Sequence, residues 1–141
     1  MTETPAPSNP QMNRAVVALL DGRRLKGYVF NFSAFKDSFR LFPNHAATAA
    51  SGTDVLLKDV KAVFFVKDFQ GNPEYREKAG AGEGPLGRRI EVTFKDGEKL
   101  TGTTTGYNPQ KLGFFVFPLD PNDNNARIFV VNKNARNVKF V

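Results

Sequence analysis

The sequence has no cysteine, no tryptophan and a single histidine in 141 residues. Without cysteine there are no disulfides, no thiolate metal sites and no thiol nucleophile, so a small module must hold together by packing alone, which fits a cytoplasmic chain. No apolar run approaches the roughly 20 residues that span a bilayer, and residues 1–13 are polar and proline-rich with no apolar signal core, so a soluble, unexported protein is expected, with no membrane partner. The lone His45 sits in an alanine-rich stretch with no elbow-like serine, which leaves a nucleophilic triad without its base. No phosphate-binding loop or dinucleotide fingerprint occurs, since the glycine-rich stretch 79–87 is not flanked by a strand and a helix. These gaps argue against an enzyme and imply no cofactor and no catalytic residue.

Two weaker motifs fail on their spacing. Asp120, Asn122, Asp123 and Asn124 offer oxygen ligands, but a calcium loop begun at Asp120 needs Gly at its sixth position and Glu at its twelfth, where Asn125 and Val131 stand. An ordinary polar turn is expected there, and no metal site. Small β-barrel readers of cyclic di-GMP carry Arg-x-x-x-Arg before an Asp/Asn-x-Ser-x-x-Gly element. Here only Asn31-Phe32-Ser33 matches, with Lys36 in place of the Gly.

What is present is apolar material, positive charge and repetition. With 40% hydrophobic residues and 14 Phe, the chain can build real cores. A shift of 75 positions matches Asp21-Gly22 with Asp96-Gly97, Leu25 with Leu100, Gly27 with Gly102, Phe42-Pro43 with Phe117-Pro118, and Val63, Phe65 and Val66 with Val138, Phe140 and Val141, with no gap. The units are therefore 14–66 and 89–141, after a disordered tail 1–13. Residues 67–88 form a linker whose later half is too rich in glycine to pack, whereas Phe69, Pro73 and Tyr75 in its earlier half are expected to lie against a folded unit. Eight cations stand against four acids in the first unit and eight against five in the second, and the linker is balanced. The net charge of +6 thus sits on the folded units, where it raises the odds of a polyanionic partner.

Each unit alternates in period two, as in Arg89-Ile90-Glu91-Val92-Thr93-Phe94, and Asp-Gly follows as a hairpin signal. Leu-x-Gly comes next in a second strand, where Gly27 and Gly102 suggest a sharp bend. An aromatic third strand, 38–42 or 113–117, and two short closing strands, 53–57 with 60–66 and 127–131 with 135–141, complete five. Five short antiparallel strands in about 53 residues leave a sheet face uncovered unless the sheet curls, so the expected fold is all-β, with two tandem five-stranded small barrels related by internal duplication. Phe39, Phe65, Phe114 and Phe140 are assigned to the core. Phe30, Phe32, Phe35, Phe64 and Phe115, whose counterparts are mostly polar, remain open to solvent or a partner.

This order of strands, Asp-Gly, Leu-x-Gly and a bent second strand resembles the Sm-like fold, a branch of the SH3-like small barrels. The stretch 57–69 is also similar to an uncharacterised bacterial domain family. The Sm-like resemblance implies binding of single-stranded RNA through the loop before the third strand and a basic-Gly pair before the fifth. The chain departs from it with Phe35-Lys36-Asp37-Ser38 and Asn108-Pro109-Gln110-Lys111 in the first loop, and with Lys58-Asp59 and Lys133-Asn134 at the second site, which keep a cation but lose the Gly.

The preferred reading is a non-enzymatic protein that contacts RNA or another nucleic acid through a basic face. The candidate residues are Arg23, Arg24, Lys26, Lys36, Arg40, Lys58 and Lys61 in the first unit, and Lys99, Lys111, Arg127, Lys133 and Arg136 in the second; a solvated rim of strand ends is the alternative use for all of them. The competing function is a protein-interaction or regulatory adaptor in which Phe30, Phe32 and Phe35 meet a partner chain or another copy.

Overall fold

The computed structural model describes residues 12–30, 32–43, 52–67, 69, 87–120 and 122–141. Residues 1–11 of the N-terminal tail, His45 and most of the linker, including residues 70–86, lie outside the described residues, whereas Met12 and Asn13, expected in the disordered tail, pair with Phe30 and Val29 in the first strand. The chain is all-β. Its strands are β1 (Met12–Leu19), β2 (Arg24–Phe30), β3 (Ser38–Leu41), β4 (Thr53–Leu56), β5 (Val60–Val66), β6 (Arg88–Phe94), β7 (Lys99–Thr104), β8 (Gly113–Val116), β9 (Asn125–Val131) and β10 (Ala135–Phe140). Among the described residues the only helical geometry is a single 3-10 turn before β5 (Leu57–Asp59) and another before β10 (Asn132–Asn134).

The two Asp-Gly pairs turn the chain as their chemistry requires. Gly22 and Gly97 take φ of 95° and 91°, a region that costs a side chain with Cβ. The carboxylates of Asp21 and Asp96 accept from the backbone N–H two residues on, at 2.9 and 3.0 Å. Gly27 and Gly102 answer to a different need from the expected bend. A Cβ at either would run into the carbonyl oxygen of Phe42 or Phe117, because the end of the third strand crosses close over the second. There Tyr28 and Phe42 exchange two backbone hydrogen bonds of 2.8 Å, and Thr103 and Phe117 exchange equivalent bonds of 2.9 and 2.8 Å, 75 residues on. The same offset relates Leu57 N–H donating to Asp37 O and Asn132 N–H donating to Leu112 O.

The strands form three sheets, ordered β2-β1-β5-β9-β8, β10-β6-β7 and β3-β4, and none closes into a barrel. The expected pair of closed barrels is therefore not what forms. The reason lies in β5, which does not return to β4 of its own half. It takes β9 of the other half as its antiparallel neighbour, with Val63 opposite Phe129 and Ala62 opposite Val130. With the two bridges included, backbone hydrogen bonds run through all ten strands in the order β4-β3-β2-β1-β5-β9-β8-β7-β6-β10.

This pairing interleaves the cores. Phe129 and Val131 of the second half, both essentially inaccessible, pack among Val17, Val29, Phe39 and Phe65 of the first. Ala62 of the first half is buried with Ile90, Val92, Phe94 and Phe114 of the second. Each fully buried Phe or Val removes enough apolar surface to favour folding by about 1.5–3 kcal/mol, so the joint belongs to the hydrophobic core.

Phe39, Phe65 and Phe114 are buried as expected, whereas Phe140 is 39% exposed. Phe65 has β9 across from it, and Phe140 on β10 has no strand on its outer side among the described residues. Phe69 meets Tyr28 edge-on at 5.4 Å.

Candidate nucleic-acid interface

The 3-10 turns that precede β5 and β10 lie side by side. Asn134, only 3% exposed, donates its side-chain amide to the carbonyls of Val60 (2.8 Å), Lys58 (3.2 Å) and Leu57 (3.4 Å). Asn132 donates to the carbonyls of Lys111 (2.8 Å) and Asn108 (2.9 Å), which fixes the loop between β7 and β8 against the same turns. Two side-chain amides thus tie these turns and the β7–β8 loop together through their carbonyls, and the segments they anchor become the walls of a groove.

The groove has a volume of about 830 Å³ and draws its walls from both halves. Lys58, Lys111, Lys133 and Arg136 line it, with Asp37 the one acid among the described lining residues. All four cations are exposed, and none forms an ion pair with a described residue. Tyr107, half-buried and edge-on to Phe114 at 4.8 Å, contributes an aromatic wall, and Leu56 and Leu112 add apolar surface. Four unneutralised cations beside a ring and apolar side chains suit a ligand with both phosphates and flat bases.

Of the twelve basic candidates read from the sequence, the groove collects four. Two of the others do structural work. Lys61 is 7% exposed, bonded to Asp96 (2.8 Å) and to Glu98 across the joint, and stands 4.8 Å over the Phe94 ring. Burial alone would push its ammonium down, but the two carboxylates outweigh it and hold the lysine above its ordinary value. Arg127 is half-buried, 4.6 Å from both the Phe65 and Phe115 rings, and desolvation pulls it below its ordinary value. Neither is free to grip a ligand, because each is neutralised or covered where β5 meets β9. Arg23 is held by Asp21 at 2.8 Å, which helps keep that carboxyl below its ordinary range after the backbone hydrogen bond from Arg23, and Arg40 pairs with Asp54 at 2.9 Å. Arg24, Lys26, Lys36 and Lys99 are exposed but stand outside the groove.

The aromatic candidates separate as clearly. Phe32, expected at a partner surface, is edge-on to Phe39, Phe65, Phe115 and Phe129 at 4.9–6.2 Å and packs against the first core. It plugs the joint. Phe30 is half-buried against Phe42. Phe64 and Phe115 are half-buried against the two cores. Phe35 alone of these rings stands out, 79% exposed, with Lys111 Nζ 5.5 Å from its centre.

Tyr107 is the groove residue the sequence reading passed over, although it lies 75 positions after Phe32 and that aromatic match was visible. In the run from Asp120 to Asn124, Asp120 and Asp123 accept from the backbone N–H of Asn122 (2.9 Å) and Asn125 (2.8 Å), as turn caps do. No cluster of three His, Cys, Asp or Glu suited to a metal ion occurs among the described residues. None of their helices is long and apolar enough to cross a membrane.

Residues 11–141 match the model of a family of unknown function, DUF6982. The chain belongs to that family. The match takes in both halves, so the DUF6982 unit includes the β5–β9 joint and the groove above it. No curated protein and no solved structure matches this DUF6982 chain.

Proposed function

We propose that this is a non-enzymatic binding protein that takes single-stranded nucleic acid, RNA first among them, along the groove between its halves. The observation that carries the reading is the convergence of Lys58, Lys111, Lys133 and Arg136, without ion-pair partners among the described residues, beside Tyr107. In the resembling Sm-like proteins the loops before the third and fifth strands hold RNA. The groove is built from those loops: Asp37 and Lys111 precede β3 and β8, and Lys58 and Lys133 precede β5 and β10. This likeness, with the repeated hairpins and bridges, supports taking the halves as two copies of one Sm-like unit that share strands rather than closing separately.

The test is fluorescence anisotropy with a labelled single-stranded RNA at several salt concentrations. Four phosphate contacts on a single strand predict that log K falls with log salt with a slope of about −3. Lys58→Gln with Lys133→Gln should reduce that slope by about 1.4, whereas Arg24→Gln with Lys26→Gln, outside the groove, should leave it unchanged. No binding, or salt-insensitive binding indifferent to both pairs, rejects the proposal.

A second reading, a protein-interaction adaptor, draws support from the exposure of Phe35. Such a ring gives a partner a buried anchor worth about 2 kcal/mol or more. Under that reading Phe35→Ser abolishes partner capture while the groove pairs leave it intact.

A further inference from the structure

A trio of aromatic rings occurs twice, 75 positions apart in the chain. In the first half Phe32 meets Phe39 and Phe65 edge-on at 5.5 and 5.3 Å; in the second, Tyr107 meets Phe114 and Phe140 edge-on at 4.8 and 6.0 Å. The first trio is covered. Phe115 lies 6.2 and 6.3 Å from Phe32 and Phe65, Phe129 lies 4.9 Å from Phe32, and the guanidinium of Arg127 stands 4.6 Å from the Phe65 and Phe115 rings. The second trio has one cover of the same kind, the exposed Arg88, whose guanidinium lies 4.0 Å from the centre of Phe140. No further ring among the described residues meets Tyr107 or Phe140, and Phe140 stays 39% exposed.

The covered trio shows what the open one accommodates. A flat ring and a guanidinium complete the first; at the second the guanidinium is in place and the position of the ring faces solvent. The repeat itself does not supply that ring, because the first-half counterparts of Phe115 and Phe129 are Arg40 and Asp54. Arg88 forms no ion pair with a described residue, so its charge is uncommitted. A guanidinium already resting on a ring loses little further freedom when a second flat group stacks beside it, and its N–H groups suit phosphate.

The open trio is also continuous with the groove. Tyr107 and Val138 belong to the groove wall. On β10, Val138 stands opposite Val92 and Phe140 opposite Ile90, so Phe140 follows Val138 on the same face of the strand. A strand that leaves the groove past Tyr107 meets Phe140 next.

We infer that Tyr107, Phe140 and Arg88 form a second subsite of the groove, in which one base of a single-stranded nucleic acid lies against Tyr107 and Phe140 as Phe115 lies against Phe32 and Phe65, with Arg88 beside it. The inference rests on the reading of the groove as a nucleic-acid interface and extends it to a longer strand. Because every base has a π-face, this subsite adds affinity and no choice of base.

The test is fluorescence anisotropy of the full chain with labelled oligoadenylates of increasing length. Wild-type affinity should rise again once the strand outgrows the groove. Phe140→Leu and Arg88→Gln should each weaken the long strands by about fivefold or more, the scale of one lost stacked base, and leave the shortest bound strands unchanged. The double variant should lose little more than the worse single one, since both side chains act on one base. A long strand with 4-thiouridine at its end should photocrosslink to the peptide that carries Phe140. If no strand of any length binds the wild type, the groove reading falls and the subsite with it. If strands bind and Lys58→Gln with Lys133→Gln weakens them, while Phe140→Leu and Arg88→Gln bind every length as the wild type does, the subsite alone is overturned. Crosslinks confined to the groove loops at every length overturn it too, as does a Phe140→Leu protein that melts lower with strand binding unchanged, which would mark a ring that only caps the core.

Discussion

Two adjacent threonines on β7 show how a hydroxyl can help or cost in the same strand. Thr104 is buried and its hydroxyl donates to the Phe115 carbonyl at 2.7 Å, while the equally buried Thr103 hydroxyl has no partner among the described residues. A buried hydroxyl without a hydrogen bond forfeits its hydration, and valine has nearly the same shape without that loss. Thr103→Val is therefore expected to stabilise the protein by about 1 kcal/mol, and Thr104→Val to destabilise it by about the same amount. Urea unfolding of the two variants gives the signs; destabilisation by Thr103→Val would show that its hydroxyl is bonded. Asn134 is the sterner case. Asn134→Ala uncaps the Val60 carbonyl at the joint, and a loss of about 1–3 kcal/mol is expected in the same measurement, larger than either threonine change.

The strands themselves follow from local chemistry, and so do their hairpins. Period-two patterns and Asp-Gly pairs locate the β1–β2 and β6–β7 hairpins, since alternation and turn residues act over a few positions. The role of Gly27 and Gly102 was only half legible: a strand glycine signals an unusual backbone need, but only the fold shows that the need is room for the Phe42 and Phe117 carbonyls. Both Gly27→Ala and Gly102→Ala push a Cβ into backbone that cannot rotate away, so each should cost about 1–3 kcal/mol by thermal or urea unfolding. Gly106→Ala, with nothing within 4 Å of the added Cβ, should be close to neutral. What period-two alternation leaves open is the identity of the neighbour. Phe65 and Phe140 occupy matching positions in matching strands, yet one is 2% exposed and the other 39%, because β9 lies beside β5 and no strand among the described residues lies outside β10. Likewise a lysine between Val60 and Ala62 gives no sign that two carboxylates will arrive from a hairpin some 35 residues away, so Lys61 read as a surface cation. The groove cations were legible as residue types and as loop positions; their convergence depended on the β5–β9 pairing, which no local pattern encodes.

That pairing makes the two halves one cooperative body, since Phe129 and Val131 complete the core of the half to which they do not belong. The ion pair of Lys61 with Asp96 and Glu98 closes the polar edge of the same joint, and it ties stability to pH in a defined way. Asp96 is held below its ordinary 3.8, first by the hydrogen bond from the Lys61 ammonium and then by the backbone N–H of Glu98. A carboxyl lowered on folding contributes stability that is complete above its unfolded value and fades as pH falls through the folded one. Lys61 is raised from 10.5, so its share is complete below that value and fades only as pH climbs past the folded one. Across neutral pH the joint is therefore at full strength, and acid is the accessible side from which to weaken it. Lys61→Met keeps the stem over Phe94 while removing the ammonium, and leaves Asp96 with the smaller, backbone part of its depression. The melting temperature of the wild type should exceed that of Lys61→Met by a margin that is constant from about pH 6 to 9 and shrinks as pH is lowered through about 4 toward 2. Melting curves of both proteins across that range, followed by circular dichroism at fixed ionic strength, give the margin directly. A margin that grows on acidification would mean that the Lys61 ion pair does not stabilise the joint, and that the central strands are held by their apolar contacts alone.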